Sequence, residues 1–584
     1  MLLKTKTKGI FFLMGVASFY FFLSTFANAQ NIPPGQDVGA REREIEQTKR
    51  LKEKEKDLVE GKKKAEVKEK GILKESPRES GAPETRALIA KIEVEGVTLL
   101  KESQVRSIVS PYEGRELSLE GFREVADAIT QEYRKRGYAT SFAVIPPQKV
   151  ENNTLKIQVA EGRVGKVSIS GNKHFRTGRL KKYLGMKEGT LLNYDEFRRN
   201  LNWINEHPDR NARAVLERGE GPYETDINID VQDRLPWHVS FGYNNYNSRF
   251  LERNKYLMEL KNNNFLGFDD VLSGEVQLGE AGRFQLYGAR YAFPISDRAK
   301  VGINYVHINQ KLGRALSGFD IQGKGDIITP YYSYHLIDGE NFDLNTIFSF
   351  DYKEIENKTL GTIVGKDDLR ILKLGFDLDY LDRFHGRSIL TQEFHVGLPG
   401  FMGGLDRNDP GASRSGADAG GDFFRFVTNV GRLQSLPYDL SLMIKGSMQV
   451  TTTDVVSTEQ FTIGGFYSVR GYDVGEFAGD QGFSLSSEFY IPPYFIPKDV
   501  KVPFTSSTFY NSLRFLGFFD WALIHNRTPL SGESETENLF GIGPALRFTV
   551  SNRLSVSFDY GIAVGREPSA GKRAQPYIEV KLFF

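Results

Sequence analysis

Leu554-Ser555-Val556-Ser557-Phe558-Asp559-Tyr560-Gly561-Ile562-Ala563-Val564 alternates without a break, with large apolar side chains on one parity and small or polar ones on the other. A period of two is the signature of a strand, whose successive side chains leave opposite faces of a sheet. The same device precedes it in Leu539 to Val550, where Phe540, Ile542, Leu546, Phe548 and Val550 oppose Gly541, Gly543, Ala545, Arg547 and Thr549. It also closes the chain, with Ile578, Val580, Leu582 and Phe584 set against Tyr577, Glu579 and Lys581. Soluble sandwiches alternate too, but their strands are commonly about five or six residues long. Segments of about nine to eleven residues match a tilted strand crossing a bilayer. From Leu235 onward the pattern recurs in about sixteen such segments, which predicts an all-β transmembrane barrel of about sixteen antiparallel strands over 235–584.

Composition agrees with a barrel and excludes the other way of spanning a membrane. The chain has 584 residues, of which 26% are charged, and a mean hydropathy of −0.39. No bundle of apolar helices fits those values, whereas in a barrel the lipid-facing and lumen-facing residues cancel in the average. Cysteine is absent, which suits an oxidising compartment. The formal charge of +1 includes Lys4, Lys6 and Lys8, so the rest of the chain carries about −2 and has no overall nucleic-acid signature.

Residues 1–29 read as a secretory signal peptide: those three lysines, an apolar run from Ile10 to Phe26, and Ala27-Asn28-Ala29 before Gln30. An uncleaved helical anchor is the alternative, because the run is long for a signal peptide. Residues 30–88 read as a charged N-terminal helix or linker. Within them Glu46 and Arg50, Glu60 and Lys64, and Glu66 and Lys70 sit four apart, as helical ion pairs do. A solvated tether, helical or disordered, is the plainer reading of 41–74. Ser76-Pro77 through Gly81-Ala82-Pro83 ends any helix there.

Two modules of the same order follow, 89–161 and 162–234. The first predicts a strand from Ile89 to Val97, a short helix near Glu102 to Val109 and a longer one from Ser118 to Arg136. In the longer helix Ser118 caps, and Phe122, Val125, Ile129 and Tyr133 form the buried stripe. Strands Ser141 to Ile145 and Thr154 to Ala160 complete it. The second repeats the plan with Lys166 to Ser170, Arg176 to Leu184, Tyr194 to Asn205, Ala212 to Arg218 and Thr225 to Val231.

Inside the barrel region, Phe461-Thr462-Ile463-Gly464-Gly465-Phe466-Tyr467-Ser468-Val469-Arg470-Gly471-Tyr472 interrupts the alternation with glycines around one cation. It reads as a loop, with Tyr467 and Tyr472 packing the turn on either side of Arg470. Downstream, Phe515, Phe519, Trp521 and Leu523 share the lipid-facing parity, so Asp520 points into the lumen. A carboxylate in a barrel wall wants a cation, and an arginine binds it with two parallel hydrogen bonds that lysine cannot supply.

Two β-α-α-β-β modules, Gly171-Asn172-Lys173 at a first turn, a barrel of about sixteen strands and a Val469-Arg470-Gly471-Tyr472 loop together resemble the two-partner secretion transporters. These are the haemolysin secretion and activation proteins, within the wider superfamily of barrel-inserting and translocating outer-membrane proteins. The resemblance spans nearly the whole chain after the leader. It implies an α+β pair of periplasmic POTRA modules followed by the barrel in a Gram-negative outer membrane. It implies a long loop, 451–481, folded back into the barrel, with Arg470 latched to Asp520 and with Gly464, Gly465, Val469, Gly471 and Tyr472 forming the loop motif. The terminal Phe584 becomes an assembly signal read by the barrel-assembly machinery. The partner becomes an unfolded secreted exoprotein with an N-terminal secretion domain, captured in the periplasm and exported without ATP. In relatives a helix placed like 41–74 can plug the barrel; here that segment is more charged and richer in lysine.

Other functions fit the residues poorly. The pairs Gly323-Lys324 and Gly571-Lys572 lack the spacing and the following Ser or Thr of a P-loop, and no Gly-x-Ser-x-Gly elbow exists. The eight histidines are scattered; His385 and His395 have no metal spacing, and no cofactor or metal is expected. Asp406 to Asp422 reads as an extracellular loop. The expected partners are the exoprotein, outer-membrane lipid and the assembly machinery, with no nucleic acid. An exporter of one partner, a barrel-assembly insertase and a passive porin stay open as classes. Two modules favour the exporter, since insertases typically carry more and a porin has no use for them.

Overall fold

The structure, a computed structural model, describes residues 36, 38, 66–70 and 86–584, apart from 340 and 552. The leader and most of the charged linker lie outside the described residues. Two compact units result, one running from Lys62 to Pro236, the other comprising Trp237 to Phe584 together with the N-terminal residues Gln36 and Val38.

In the second unit, sixteen antiparallel strands from Trp237–Asn244 to Ala574–Phe583 close into a barrel. The first and last pair with each other from Ser240↔Phe583 to Asn244↔Glu579. Phe584 extends that seam, its N–H donating to the Val239 carbonyl at 2.9 Å and its carbonyl accepting from Val239 N–H at 3.2 Å. Closure satisfies every edge, which is what a sheet surrounded by lipid requires.

Burial runs opposite to that of a soluble protein. Phe241, Ile303, Phe348, Phe519 and Ile542 are exposed on the outer face. Charged residues fill the interior: Lys373 Nζ reaches Asp351 at 2.7 Å with both side chains buried. The strand Leu513–His525 shows the two faces side by side, Phe519 being 42% exposed and Asp520 only 1%. Several strands outrun the length expected from a bilayer, reaching twenty residues in Thr362–Leu381 and eighteen in Phe342–Thr359. Bilayer thickness fixes only the lipid-covered part of a strand; the rest continues the ladder beyond it.

The first unit holds three sheets, of four, three and two strands, with helices packed on the two larger ones. Leu119–Lys135 is capped by Ser118, whose hydroxyl accepts from Gly121 N–H at 3.3 Å, and it buries Val125, Ile129 and Tyr133. Where one strand was expected from Ile89 to Val97, there are two. Ala87–Ile89 pairs with a short strand, Arg115–Leu117, and Lys91–Glu95 pairs with Thr154–Ala160. In the second module Arg210–Arg218, Glu224–Asp233 and Arg163–Ser170 form the sheet.

The linker departs from expectation as well. Glu66 and Lys70, spaced as a helical ion pair, belong to a strand, Glu66–Lys70, that lies parallel to Arg210–Arg218 at the edge of the second module's sheet. Register runs from Glu66↔Arg213 to Lys70↔Glu217, Arg213 Nε meets Glu66 at 3.3 Å, and Val67 packs on the module's core. A free sheet edge supplies the backbone partners that this polar segment cannot make for itself.

Glu161, just after Thr154–Ala160, ties the first module together. It is buried and accepts from the Tyr133 hydroxyl at 2.7 Å, from the backbone N–H groups of Thr98 and Leu99 at 2.7 and 3.0 Å, and from the Thr98 hydroxyl. Burial opposes its ionisation, but those donors outweigh it and hold the carboxyl below its usual range; burial and the carboxylate together push the Tyr133 hydroxyl up. Glu161→Ala is expected to cost the module about 2–4 kcal/mol by leaving buried donors unmatched, measurable by hydrogen exchange at Leu99 and around Tyr133. The sign follows from the depressed carboxyl: this stabilisation is present above about pH 4.3, the unfolded value, and fades as pH falls through the folded one.

Candidate functional site: the clamp inside the barrel

The connection between strands Ser441–Thr451 and Gln481–Ile491 turns back into the barrel. Its base is a hairpin of Phe461–Ile463 and Phe477–Gly479, so the first three residues of the stretch expected as loop are strand. Beyond the hairpin the backbone takes left-handed angles at Gly464 and Gly465 (φ 100° and 94°), which turn the chain toward Val469 and Arg470.

Arg470 is 2% exposed and uses its whole donor set. Nε and Nη2 form a fork on Asp520, each at 2.7 Å, and the Arg470 backbone N–H adds a third bond to the same carboxylate at 3.1 Å. Nη1 donates to Glu488 and to Asp559, both at 2.8 Å, and Nη2 also reaches Ser486 Oγ at 3.1 Å. The guanidinium carbon lies 3.5 Å from the centre of the Phe518 ring, within cation–π range.

The wall is charged on its own account. Arg547 binds Asp559 through two bonds at 2.7 and 2.9 Å, and Lys445 Nζ lies 3.6 Å from Glu488. Asp520, Glu488 and Asp559 thus face Arg547 and Lys445, one carboxylate in excess; Arg470 supplies the missing cation.

The tip is fitted as closely as it is charged. Gly471 has φ 104°, and a Cβ there would meet Ala563 N at 2.5 Å. Facing wall positions are glycines as well: a Cβ on Gly541 would sit 2.2 Å from the Arg470 carbonyl, and one on Gly561 2.5 Å from Gly471 N. Gly471 N–H donates to the Tyr577 hydroxyl at 3.1 Å, which donates to the Tyr472 carbonyl at 2.9 Å. Tyr472 and Val469 are fully buried.

The sequence-derived residues therefore divide clearly. Arg470, Asp520, Val469, Gly471 and Tyr472 meet in one place, with Gly464 and Gly465 at the base of the turn. Tyr467 and Tyr472 do not flank Arg470. The Tyr472 hydroxyl reaches the Val564 and Arg566 carbonyls at 3.2 and 3.0 Å, Tyr467 packs on Tyr246 and Phe466, and the ring under the guanidinium is Phe518. Phe584 lies apart, at the seam. Glu488, Asp559, Arg547 and the glycines 541 and 561 were missed as partners. Their signal was the inward parity on which Arg547, Asp559 and both glycines already lay.

A second arginine holds the connections together beyond the clamp. Arg414, from the stretch 406–422, is buried and donates to Asp480 at 2.6 Å, Glu533 at 2.9 Å and the Val455 carbonyl at 2.8 Å. His395 sits within the strand Gly386–Gly397, between Glu393 at 3.1 Å and Arg425 at 2.6 Å, while His385 occupies a turn with φ 60°.

The barrel and the paired α+β modules match known proteins. The haemolysin secretion/activation protein ShlB/FhaC/HecB model matches residues 223–507. A ShlB-type POTRA domain model matches 87–162, and a POTRA model described as a surface antigen variable number repeat matches 163–234. The chain belongs to this family. Among curated relatives, the heme/hemopexin transporter protein HuxB of Haemophilus influenzae strain 86-028NP is 24% identical over 423 residues, 70% of this chain and 72% of its own. The outer membrane transporter CdiB of Escherichia coli is 23% identical over 500 residues, 82% of this chain and 81% of its own. The solved structure of CdiB from Escherichia coli superposes with a TM-score of 0.73 at 20% identity, covering 95% of this chain and 99% of that one. This ShlB-family chain is an outer-membrane two-partner secretion transporter, with its POTRA domains in the periplasm and an exoprotein as its partner. The barrel end at Trp237 is accordingly periplasmic, and the connections 398–423, 452–480 and 526–535 are extracellular.

Removing Arg470 leaves a buried excess of carboxylate, so Arg470→Ala is expected to weaken loop docking by about 3–5 kcal/mol where the lumen is dry. Arg470→Lys keeps the charge and loses the fork, and is expected to fall between. Proteolysis of the 464–476 segment in intact cells, against unchanged heat-modifiable migration of the barrel, reads both.

Proposed function

We propose that the transporter exports one unfolded exoprotein through the barrel without ATP, using Arg470 and Asp520 as a releasable latch on the loop that fills the pore. The working units of this reading are the signal peptide 1–29, linker 30–88, POTRA modules 89–161 and 162–234, and the barrel 235–584 with its loop 451–481. The observation that carries it is the guanidinium at the centre of three wall carboxylates. A polar, fully matched contact has direction, and water can replace it when the loop leaves.

Capture begins at the second module's edge. Strand addition uses backbone hydrogen bonds and so tolerates varied sequences. The strand Glu66–Lys70 supports this reading because it already occupies that edge of Arg210–Arg218. The N-terminal secretion domain of the exoprotein then competes with the chain's own linker for one site. Gln36 and Val38 support a resting plug formed by residues upstream of 41–74. Gln36 donates to the Val474 carbonyl at 2.7 Å and accepts from Ser248 at 2.6 Å, and Val38 is fully buried among Leu251, Phe284 and Ile308. Phe584, at the end of the closing strand, serves as the signal read by the assembly machinery. The insertase alternative is weaker, since the matching family model is that of secretion proteins.

Arg470→Ala should leave the barrel in the membrane yet reduce exoprotein in the medium. Export at the wild-type level by a correctly inserted variant removes the latch from the mechanism. Val67→Pro, which removes from the module's core the side chain that anchors the occupying strand and restricts that strand's backbone, should raise affinity for the exoprotein's secretion domain several-fold in a binding assay; unchanged affinity places capture elsewhere.

A further inference from the structure

The connection 492–512, between Gln481–Ile491 and Leu513–His525, is far longer than the periplasmic turns 295–298 and 382–385 at the same end of the barrel. It is not loose. Val502 N–H donates to the Ser507 carbonyl at 2.9 Å, Thr505 N–H to the Val502 carbonyl at 3.2 Å, and Lys501 bridges to Thr508. The Tyr494 hydroxyl donates to the Tyr438 carbonyl at 2.7 Å on the neighbouring turn, and the Tyr510 hydroxyl and Lys498 Nζ donate to Asp439 at 2.8 and 3.2 Å.

This ordered segment presents apolar rings outward. Phe504 is fully exposed, and its φ of 62° is a conformation that large side chains rarely adopt. Phe495 is 76% exposed. Its ring centre lies 5.8 Å from that of Phe515, which sits on the outward parity of its strand, so the Phe495 ring continues the lipid-facing surface instead of the lumen. Lys501 stands exposed in the same segment, while Lys498 is held by Asp439 and adjoins the exposed Asp499.

We infer that residues 492–508 form an interfacial foot that lies in the periplasmic leaflet of the outer membrane. Phe495 and Phe504 enter the boundary between headgroups and acyl chains, where aromatic rings are favoured, and Lys501 reaches the headgroup layer. The foot is clamped to the adjacent turn, so it fixes the depth of that side of the barrel. It uses no residue of the loop clamp.

The chain has no cysteine, so Phe504→Cys carries a single nitroxide. The full-length protein is reconstituted in vesicles of phosphatidylethanolamine with phosphatidylglycerol, with Glu567→Cys in an extracellular connection as the aqueous reference. Power saturation is expected to show the label at 504 relaxed several-fold more by oxygen than by a water-soluble nickel chelate, with the order reversed at 567. Phe495→Cys gives the same readout if the label at 504 prevents insertion. Equal access of the nickel chelate at 504 and 567 overturns the proposal. So does an oxygen preference that arises only on adding the exoprotein, which makes the surface a docking site for cargo.

Discussion

Three carboxylates projecting from the inner wall of one barrel need more positive charge than that wall supplies, and the folded-in loop brings it. Glu488, Asp520 and Asp559 come from strands Gln481–Ile491, Leu513–His525 and Leu554–Val564. Arg547 and Lys445 answer part of their charge, and Arg470 answers the rest. Loop position is therefore encoded in the wall. Bare charge would specify only a region, but the fork on Asp520 and the ring of Phe518 specify an orientation. The glycines at 541 and 561 then set how near the tip comes. Electrostatics, hydrogen-bond direction and steric fit converge on a single loop placement.

Most of the barrel was legible because its governing constraint is local. Lipid on one side and water on the other force alternation within each strand, so Leu554 to Val564 announces its two faces without reference to its neighbours. Helix caps and stripes such as Ser118 with Val125, Ile129 and Tyr133 are local in the same sense. Glu66–Lys70 is not. Nothing in Glu-Val-Lys-Glu-Lys favours a strand; its conformation is decided by the open edge of Arg210–Arg218, over a hundred residues away in the chain. Strand ends past the bilayer were illegible for a related reason. Once lipid stops imposing alternation, as toward the tips of Phe342–Thr359 and Thr362–Leu381, the ladder continues on backbone bonds alone.

For the site, parity located Asp520 on the inner wall, and the same parity had already placed Asp559 and Arg547 there. Parity gives a face, however, and not a height or an azimuth. Which inward charges share a cluster depends on strand stagger, and stagger is set around the whole barrel. Gly541 and Gly561 read in the sequence as the small members of an alternating pair; their role appears only when Arg470 and Gly471 lie against them. Arg414 was hidden more deeply, since a stretch rich in Gly, Ser and Asp gives no hint that its arginine is buried.

Two arginine-centred contacts add to the docked loop, beside its apolar cluster of Phe461, Ile463, Val469 and Tyr472, a component that behaves differently on withdrawal. An apolar plug gains free energy from every square ångström it hides, and that gain opposes release at each step of withdrawal. A buried ion pair behaves otherwise, because desolvating its charges offsets most of their attraction. Arg470 among its carboxylates, and Arg414 between Asp480 and Glu533, can each be exact in geometry and modest in net strength. Partial displacement admits water, and water solvates both halves of the broken contact. The proposed export without ATP calls for that property: a closed state unique in geometry, yet one that a folding exoprotein can displace.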